Sequence, residues 1–364
     1  MFFVFLLLTL IFLVFTLLPI QRSTVWWIRG LDFPRLQIFI VITVIVVTEI
    51  FLLDFSTISA WLLVMIGLFC MMYQAWWIIP YTVVFSKEVK ASCNADPLRR
   101  IKIIIANVLT SNKNSQDLIE QVHQNDPDIL VTLESDVWWQ SQLDILEDDY
   151  PYTVKCPLDN LYGMHVYSKF PLMNSQIEFL VEDDRPSIHA LILMPSGHQV
   201  RVHFLHPAPP SPTENLKSSE RDAELIIVAK SVADAKIPII VTGDLNDVAW
   251  SETTRLFRKI SGLLDPRIGR GMFNTFHADY WFLRWPLDHI FHIHHFTLHK
   301  INRLEKFGSD HFALLTELVI ETNRNGEDSG LQPDTEDLMW AQAKARNQNV
   351  TKNDVPEPEK TLDK

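Results

Sequence analysis

The chain has 364 residues and a formal net charge of −12, and all but three of its 32 basic and all but three of its 44 acidic residues lie after residue 80. That split excludes a purely soluble protein. The acidic balance speaks against a broad basic surface that gains nucleic-acid affinity by displacing counterions. Three cysteines, Cys70, Cys93 and Cys156, cannot all pair and form no C-x-x-C pattern, so all three read as free thiols.

Met1 to Ile20 carries no charge and is long enough to cross roughly 30 Å of hydrocarbon as a helix. No basic segment precedes it and no small-residue cleavage pattern follows Leu18, which points to a retained span rather than a signal peptide. Further apolar runs predict a second span at about 36–53 and a third at about 58–80, so residues 1–86 form a membrane region with the lipid bilayer as partner. Glu49 lies near a helix end, where a carboxylate is expected to snorkel toward the headgroups. The loop Gln21–Arg35 holds Arg22, Arg29 and Arg35, whereas the next loop holds no Lys or Arg. The positive-inside rule then places the first loop, and everything after residue 86, in the cytoplasm.

After Leu98, apolar runs alternate with amphipathic ones. Strands are predicted at Ile101–Asn107, Ile129–Leu133, Val200–Leu205, Ile237–Thr242, Leu287–Ile293 and Phe312–Ile320, and helices at Gln116–Gln124 and Glu214–Ala233. This mixture predicts an α/β domain with packed sheets over residues 98–320. Residues 321–364 turn polar and are expected to be disordered apart from a short helix near Asp337–Arg346.

Polar residues stand where the apolar strands stop. Asn107, Glu134 and His206 each follow a strand, Asp244 and Asn246 follow Ile239–Gly243, and Asp288 opens the run Leu287–Phe291. Singly, each could cap a turn or a helix. Together they form a set of hard oxygen ligands and imidazoles on loops anchored by strands, suited to Mg²⁺ or Mn²⁺; a Zn²⁺ site would more usually show Cys or paired His.

In these motifs the sequence resembles the endonuclease/exonuclease/phosphatase family. The matching stretches are Asn107-Val108-Leu109, Leu133-Glu134-Ser135, Tyr162-Gly163 leading to Tyr167–Leu172, Leu205-His206-Pro207, Gly243-Asp244-Leu245-Asn246, Pro286–Ile290 and Gly308-Ser309-Asp310-His311. With three spans in front of them, the chain is similar to a bacterial membrane-anchored subgroup, which implies an inner-membrane location. The resemblance implies a four-layer α/β/β/α sandwich and Mg²⁺-dependent hydrolysis of a phosphoester by an in-line water, with Mn²⁺ as a substitute. It implies that Glu134 holds the metal, with Asn107 and Asp310 as ligands or ligand orienters. Asp244 would position or deprotonate the water, Asn246 contact the phosphate and His206 donate to a phosphate oxygen. His311, oriented by Asp288, would serve as the acid–base or transition-state-stabilising imidazole.

The role of His289 stays open. His292, His294, His295 and His299 lack ligand spacing with a Cys or carboxylate and read as a solvated strand end. In Tyr280–Trp285, four aromatic rings stand beside the strand of Asp288, and contact with a bilayer and packing in the core compete on even terms. The substrate class spans a phospholipid-like ester, a small ester or a nucleic acid, and no specific protein partner is implied. A nuclease is the alternative within the class, and a non-catalytic membrane scaffold the alternative outside it.

Overall fold

A computed structural model describes residues 1–92, 96–321 and 330–358. Helix α1 (Phe2–Leu17) leads through one short turn, α2 (Trp26–Arg29), into α3 (Arg35–Leu52) and α4 (Ile58–Ile78). Each of α1, α3 and α4 is long and apolar enough to cross a membrane. Glu49 does not snorkel. It is buried between the helices and accepts a hydrogen bond from Thr9 Oγ1 at 2.8 Å, as a polar group does when the surrounding bundle offers no water.

The loop before α3 is an elbow seated on the rest of the chain. Trp26 N–H donates to Leu216 O at 3.0 Å and Trp250 Nε1 donates to Asp32 O at 2.8 Å, while beyond α4 Tyr81 Oη donates to Ala249 O at 2.6 Å. Arg29 and Arg35 both bind the Asp32 carboxylate, and all three residues are buried.

Two sheets follow. The first orders its strands β10 (Phe296–Arg303), β11 (Leu314–Ile320), β1 (Arg100–Asn107), β2 (Ile129–Leu133), β4 (Met164–Ser168) and β3 (Tyr152–Cys156). The second orders β5 (Leu172–Glu178), β6 (Ser187–Leu193), β7 (Gln199–Leu205), β8 (Ile239–Asp244) and β9 (Asp288–His292). Ile103, Ile105 and Val131 of the first sheet share one apolar core with Val202, Phe204 and Ile240 of the second. Helices α5 (Ser115–Asn125) and α6 (Val137–Leu143) cover the outer face of the first sheet through Leu118, Val122 and Trp139. The second is covered by α7 (Ser219–Val232) and α8 (Glu252–Ser261). This is the four-layer sandwich expected from the sequence. Its central strands β1 and β2 read as nearly unbroken apolar runs because both of their faces are covered.

The expected boundaries shift at both ends of the domain. Val89 is fully buried in the inter-sheet core, Ala91 bridges Leu298, and Glu88 binds Arg258, so the domain begins well before residue 98. The short helix expected near Asp337–Arg346 is present, and the disorder expected around it is corrected for the rest of residues 330–358. There, helix α9 (Thr335–Asn347) is built on a capping box at Asp334 and buries Ala341 and Ala345 against α7 and α8, and Val355 closes the same core. Residues 322–329 and 359–364 of that tail lie outside the described residues, as does Cys93; Cys70 and Cys156 are free. The helix expected from Glu214 starts at Ser219, because residues 214–218 make tertiary contacts to Tyr162 and the elbow instead.

Lys344 of α9 binds the buried Asp222 of α7 at 2.5 Å. Burial alone would raise the Asp222 carboxyl, but Lys344 and Arg221 hold it well below the usual carboxylate range. Lys344→Ala leaves that buried carboxylate undercompensated and is expected to cost about 3 kcal/mol in denaturant unfolding of the micellar protein. A loss within about 0.5 kcal/mol, the usual range for surface changes, would contradict the docking of α9.

Candidate active site

Topology brings the chemistry-bearing residues to one rim. Strands β1 and β2 run parallel, so their carboxyl ends deliver Asn107 and Glu134 side by side. Strands β7 and β8 also run parallel, and deliver His206 and Asp244. Strand β9 is antiparallel to β8 with Asp288 opposite Asp244, and β11 is antiparallel to β1, so His311 just ahead of it reaches the same rim. Gly243 has φ +145°, and a Cβ there would lie 1.9 Å from Leu205 O, so only glycine lets the backbone approach β7 this closely before Asp244. Glu134 and Asn246 both hold positive φ, 59° and 50°. Such strain, of order 1–3 kcal/mol per residue, persists where the surroundings over-determine it. Thr110 Oγ1 donates to Glu134 O at 2.6 Å, and Arg221 Nη1 donates to Asn246 O at 2.6 Å.

Asp244 Oδ2 is the focus of the arrangement. Asn107 Nδ2 donates to it at 3.2 Å and to Glu134 Oε1 at 2.8 Å, holding the two carboxylates together. His311 Nε2 lies 3.6 Å from Asp244 Oδ2 and His206 Nε2 lies 4.0 Å from it. His311 Nδ1 is 2.9 Å from Asp288 Oδ2, while Asp288 N–H donates to Thr275 Oγ1 at 3.2 Å. Asn246 Nδ2 donates to Pro207 O at 3.0 Å and ties the His206 loop to the end of β8. Asp310 stands close enough to contribute to the field at Glu134 and His311. All eight residues singled out in the sequence, Asn107, Glu134, His206, Asp244, Asn246, Asp288, Asp310 and His311, therefore gather in one place.

Burial and charge divide the two imidazoles. Burial pushes His206 down to about 4, so it is neutral at physiological pH. Burial would also lower His311, but Asp288 and Asp244 outweigh it and push it up to about 10, so it is an imidazolium. Burial pushes Glu134 up to about 7 against the hydrogen bond from Asn107, and raises Asp244 against the charge of His311.

The residues fit a divalent cation. Asp244, Asp288 and His311 form the one cluster of three ligand-type side chains with converging atoms among the described residues. A protonated His311 is not a ligand, which leaves carboxylate and amide oxygens, the donors that hard cations take. Glu134 Oε2 is buried with no hydrogen-bond partner, an acceptor that a cation would satisfy.

Other residues were not read as functional from the sequence. The Tyr162 ring lies 5.0 Å from that of His206, and the Arg185 guanidinium stacks 3.6 Å from the Tyr162 centroid. Tyr162-Gly163 stood in a matching motif, but Arg185 and Thr275 follow no apolar strand and carried no local signal. His289 is resolved as structural: buried and neutral, it contacts Arg267 Nη2 at 2.7 Å through Nδ1 and Asp247 O at 2.8 Å through Nε2. His292 is buried at the end of β9, His294 and His295 stack in the following turn, and His299 lies on β10, so these rings form no metal cluster. The aromatic stretch divides: Tyr280, Trp281 and Phe282 are exposed, whereas Trp285 packs between Phe33 and Phe276.

A sequence model of the endonuclease/exonuclease/phosphatase family matches residues 104–311. The chain belongs to this family. It is accordingly an enzyme, a metal-dependent hydrolase of ester bonds. Several solved structures share the fold. A D. rerio TDP2 humanized by 14 mutations is 16% identical over 60% of this chain and 99% of its own, with a TM-score of 0.51. The human Nocturnin catalytic domain with bound sulfate is 19% identical over 61% and 95%, at 0.52. An endonuclease/exonuclease/phosphatase from Beutenbergia cavernae is 18% identical over 61% and 72%, at 0.51. No curated protein matches the sequence.

The folded His311 stands above its unfolded value of 6.5. Its contribution to stability is thus complete below about pH 6.5 and is lost as pH rises through about 10. In cation-free protein the unfolding free energy is expected to fall across that window, and Asp288→Asn is expected to flatten the fall. A wild-type curve as flat as that of the variant would contradict the ion pair.

Proposed function

We propose that the protein is a membrane-anchored, Mg²⁺-dependent phosphoesterase, with Mn²⁺ as a substitute, that hydrolyses a phosphodiester or phosphomonoester by in-line attack of water. The convergence of Asn107, His206 and His311 on Asp244 Oδ2 carries this reading. Glu134 and Asp310 would hold the cation, with Asn107 orienting Glu134; when bound, the cation screens the phosphate charge and polarises the ester. Asp244 orients the water and accepts its proton. His311, fixed in one tautomer and charge state by Asp288, donates from Nε2 toward the developing charge on phosphate or leaving group. Neutral His206 supplies a donor to a phosphate oxygen, and Asn246, held against Pro207, contacts the phosphate from the opposite loop.

A scaffold has no use for buried carboxylates and strained backbone gathered around one oxygen, and every position of the constellation is filled. A nuclease has weaker support. One D. rerio TDP2 structure of this fold holds a single-strand DNA product, but the present chain carries a net charge of −12. The contacts between the elbow and the domain support a common side for the first loop and the catalytic domain, which we assign to the cytoplasmic face of a bacterial inner membrane.

Hydrolysis of bis(p-nitrophenyl) phosphate by the full chain in micelles tests the reading. The expected rate requires Mg²⁺, vanishes with chelator, and drops roughly 10²–10⁴-fold in Asp244→Ala and in His311→Ala. Activity that survives the chelator, or either substitution, would overturn it.

A further inference from the structure

We infer that the substrate is a bilayer amphiphile, a phosphoester bearing a long hydrocarbon chain, and that this chain lies in a cleft between the elbow and the loops beside His206 and His311. The inference rests on the phosphoesterase reading above and names its substrate class. The cleft has a volume of about 390 Å³, within the roughly 300–1,000 Å³ of small-molecule sites. One wall is the elbow, with Trp26, Gly30, Phe33 and Pro34. The other wall is Pro210, Leu283 and Trp285. No charged side chain lines it, which suits hydrocarbon and does not suit a polyanionic strand, whose grooves carry Lys and Arg.

Both walls are continuous with functional elements. Phe33 and Pro34 immediately precede the membrane span Arg35–Leu52, so the elbow wall begins where that helix leaves the bilayer. Gln37, in the first turn of the same helix, donates from Nε2 to Phe282 O at 2.8 Å and pins the aromatic loop there. Trp281 beside it is 79% exposed, as an interfacial anchor would be. On the catalytic side, the Trp285 ring stacks 6.2 Å from Phe276, whose ring lies 4.9 Å from that of His311. Pro210 belongs to the Pro-rich loop that starts at His206 and is held by Asn246 at Pro207 O. Trp285 Nε1, buried without a hydrogen-bond partner, offers a donor to the polar atoms between chain and phosphate. A lipid entering sideways along α3 would thus meet apolar walls first and the acid–base residues next.

Gly30 gives a test that leaves the backbone undisturbed. Its φ is −58°, and a Cβ built there meets nothing within 4 Å, so a large side chain at this position is expected to fill the cleft rather than the core. The full chain, reconstituted in phosphatidylcholine vesicles, is assayed on hexadecyl p-nitrophenyl phosphate and methyl p-nitrophenyl phosphate. The rate ratio between the two esters is compared for wild type and Gly30→Trp, so that co-concentration of the long ester in the vesicle cancels. The expected result is a ratio at least about tenfold lower in Gly30→Trp. Leu283→Trp, narrowing the cleft from the opposite wall, is expected to lower it as well and stands in if the first variant fails to fold. An unchanged ratio in a folded variant would overturn the inference and leave the phosphoesterase reading standing. Hydrolysis of neither ester by wild type would overturn both.

Discussion

The hydrogen bond between Asp288 and His311 crosses from one sheet to the other, and the proposed catalytic arrangement depends on it. Asp288 opens β9 in the five-stranded sheet, whereas His311 leads into β11 of the six-stranded one. Asn107 makes a second crossing by reaching from β1 to Asp244 at the end of β8. Neither contact can form unless the apolar inner faces are packed in register, so burial of residues such as Ile103, Val131, Phe204 and Ile240 fixes the separation of groups that never touch that core. The pairing also keeps the buried charges tolerable. An isolated carboxylate at Asp288 or Asp244 would be costly to bury, and the imidazolium between them offsets the repulsion of two acids.

The segment with the three long apolar helices is built into the same body. The Asp32 carboxylate takes both Arg29 and Arg35, and its backbone carbonyl accepts from Trp250, three residues beyond Asp247. Arg221 binds both Asp222 and Asp247, and Asp247 O in turn receives His289. Elbow, α7, the loop after β8 and β9 are thereby joined through buried polar contacts, and the elbow wall of the cleft is tied to the strands that carry Asp244 and Asp288. A domain cut away at residue 87 would expose this network and lose one wall of the cleft.

Much of this was legible in the sequence for a simple reason. Strands of a covered sheet are largely apolar, so the polar residue that ends or opens such a run is conspicuous, and Asn107, Glu134, His206, Asp244, Asn246 and Asp288 were found in that way. The family motifs added Asp310 and His311, which no strand end marks so plainly. What could not be read depends on distant partners. Glu214–Ser218 has helical composition but is spent on Tyr162 and the elbow. The stretch 330–358 is polar enough to look solvated, yet Ala341, Ala345 and Val355 reach a core supplied by α7 and α8. Glu49 looks like a snorkelling carboxylate until Thr9, forty residues earlier, is placed beside it. His289 and Arg185 likewise take their meaning from neighbours that no local spacing reveals.

The central claim is that the rim oxygens around Glu134 hold a divalent cation for hydrolysis. Manganese binding to the full chain in detergent micelles, followed by the loss of free Mn²⁺ signal in electron paramagnetic resonance, tests it most directly. The account predicts saturable binding that is lost in Glu134→Gln and retained in His311→Ala, since an imidazolium is not a ligand. Binding left intact by Glu134→Gln, or no binding by folded wild-type protein, would contradict it.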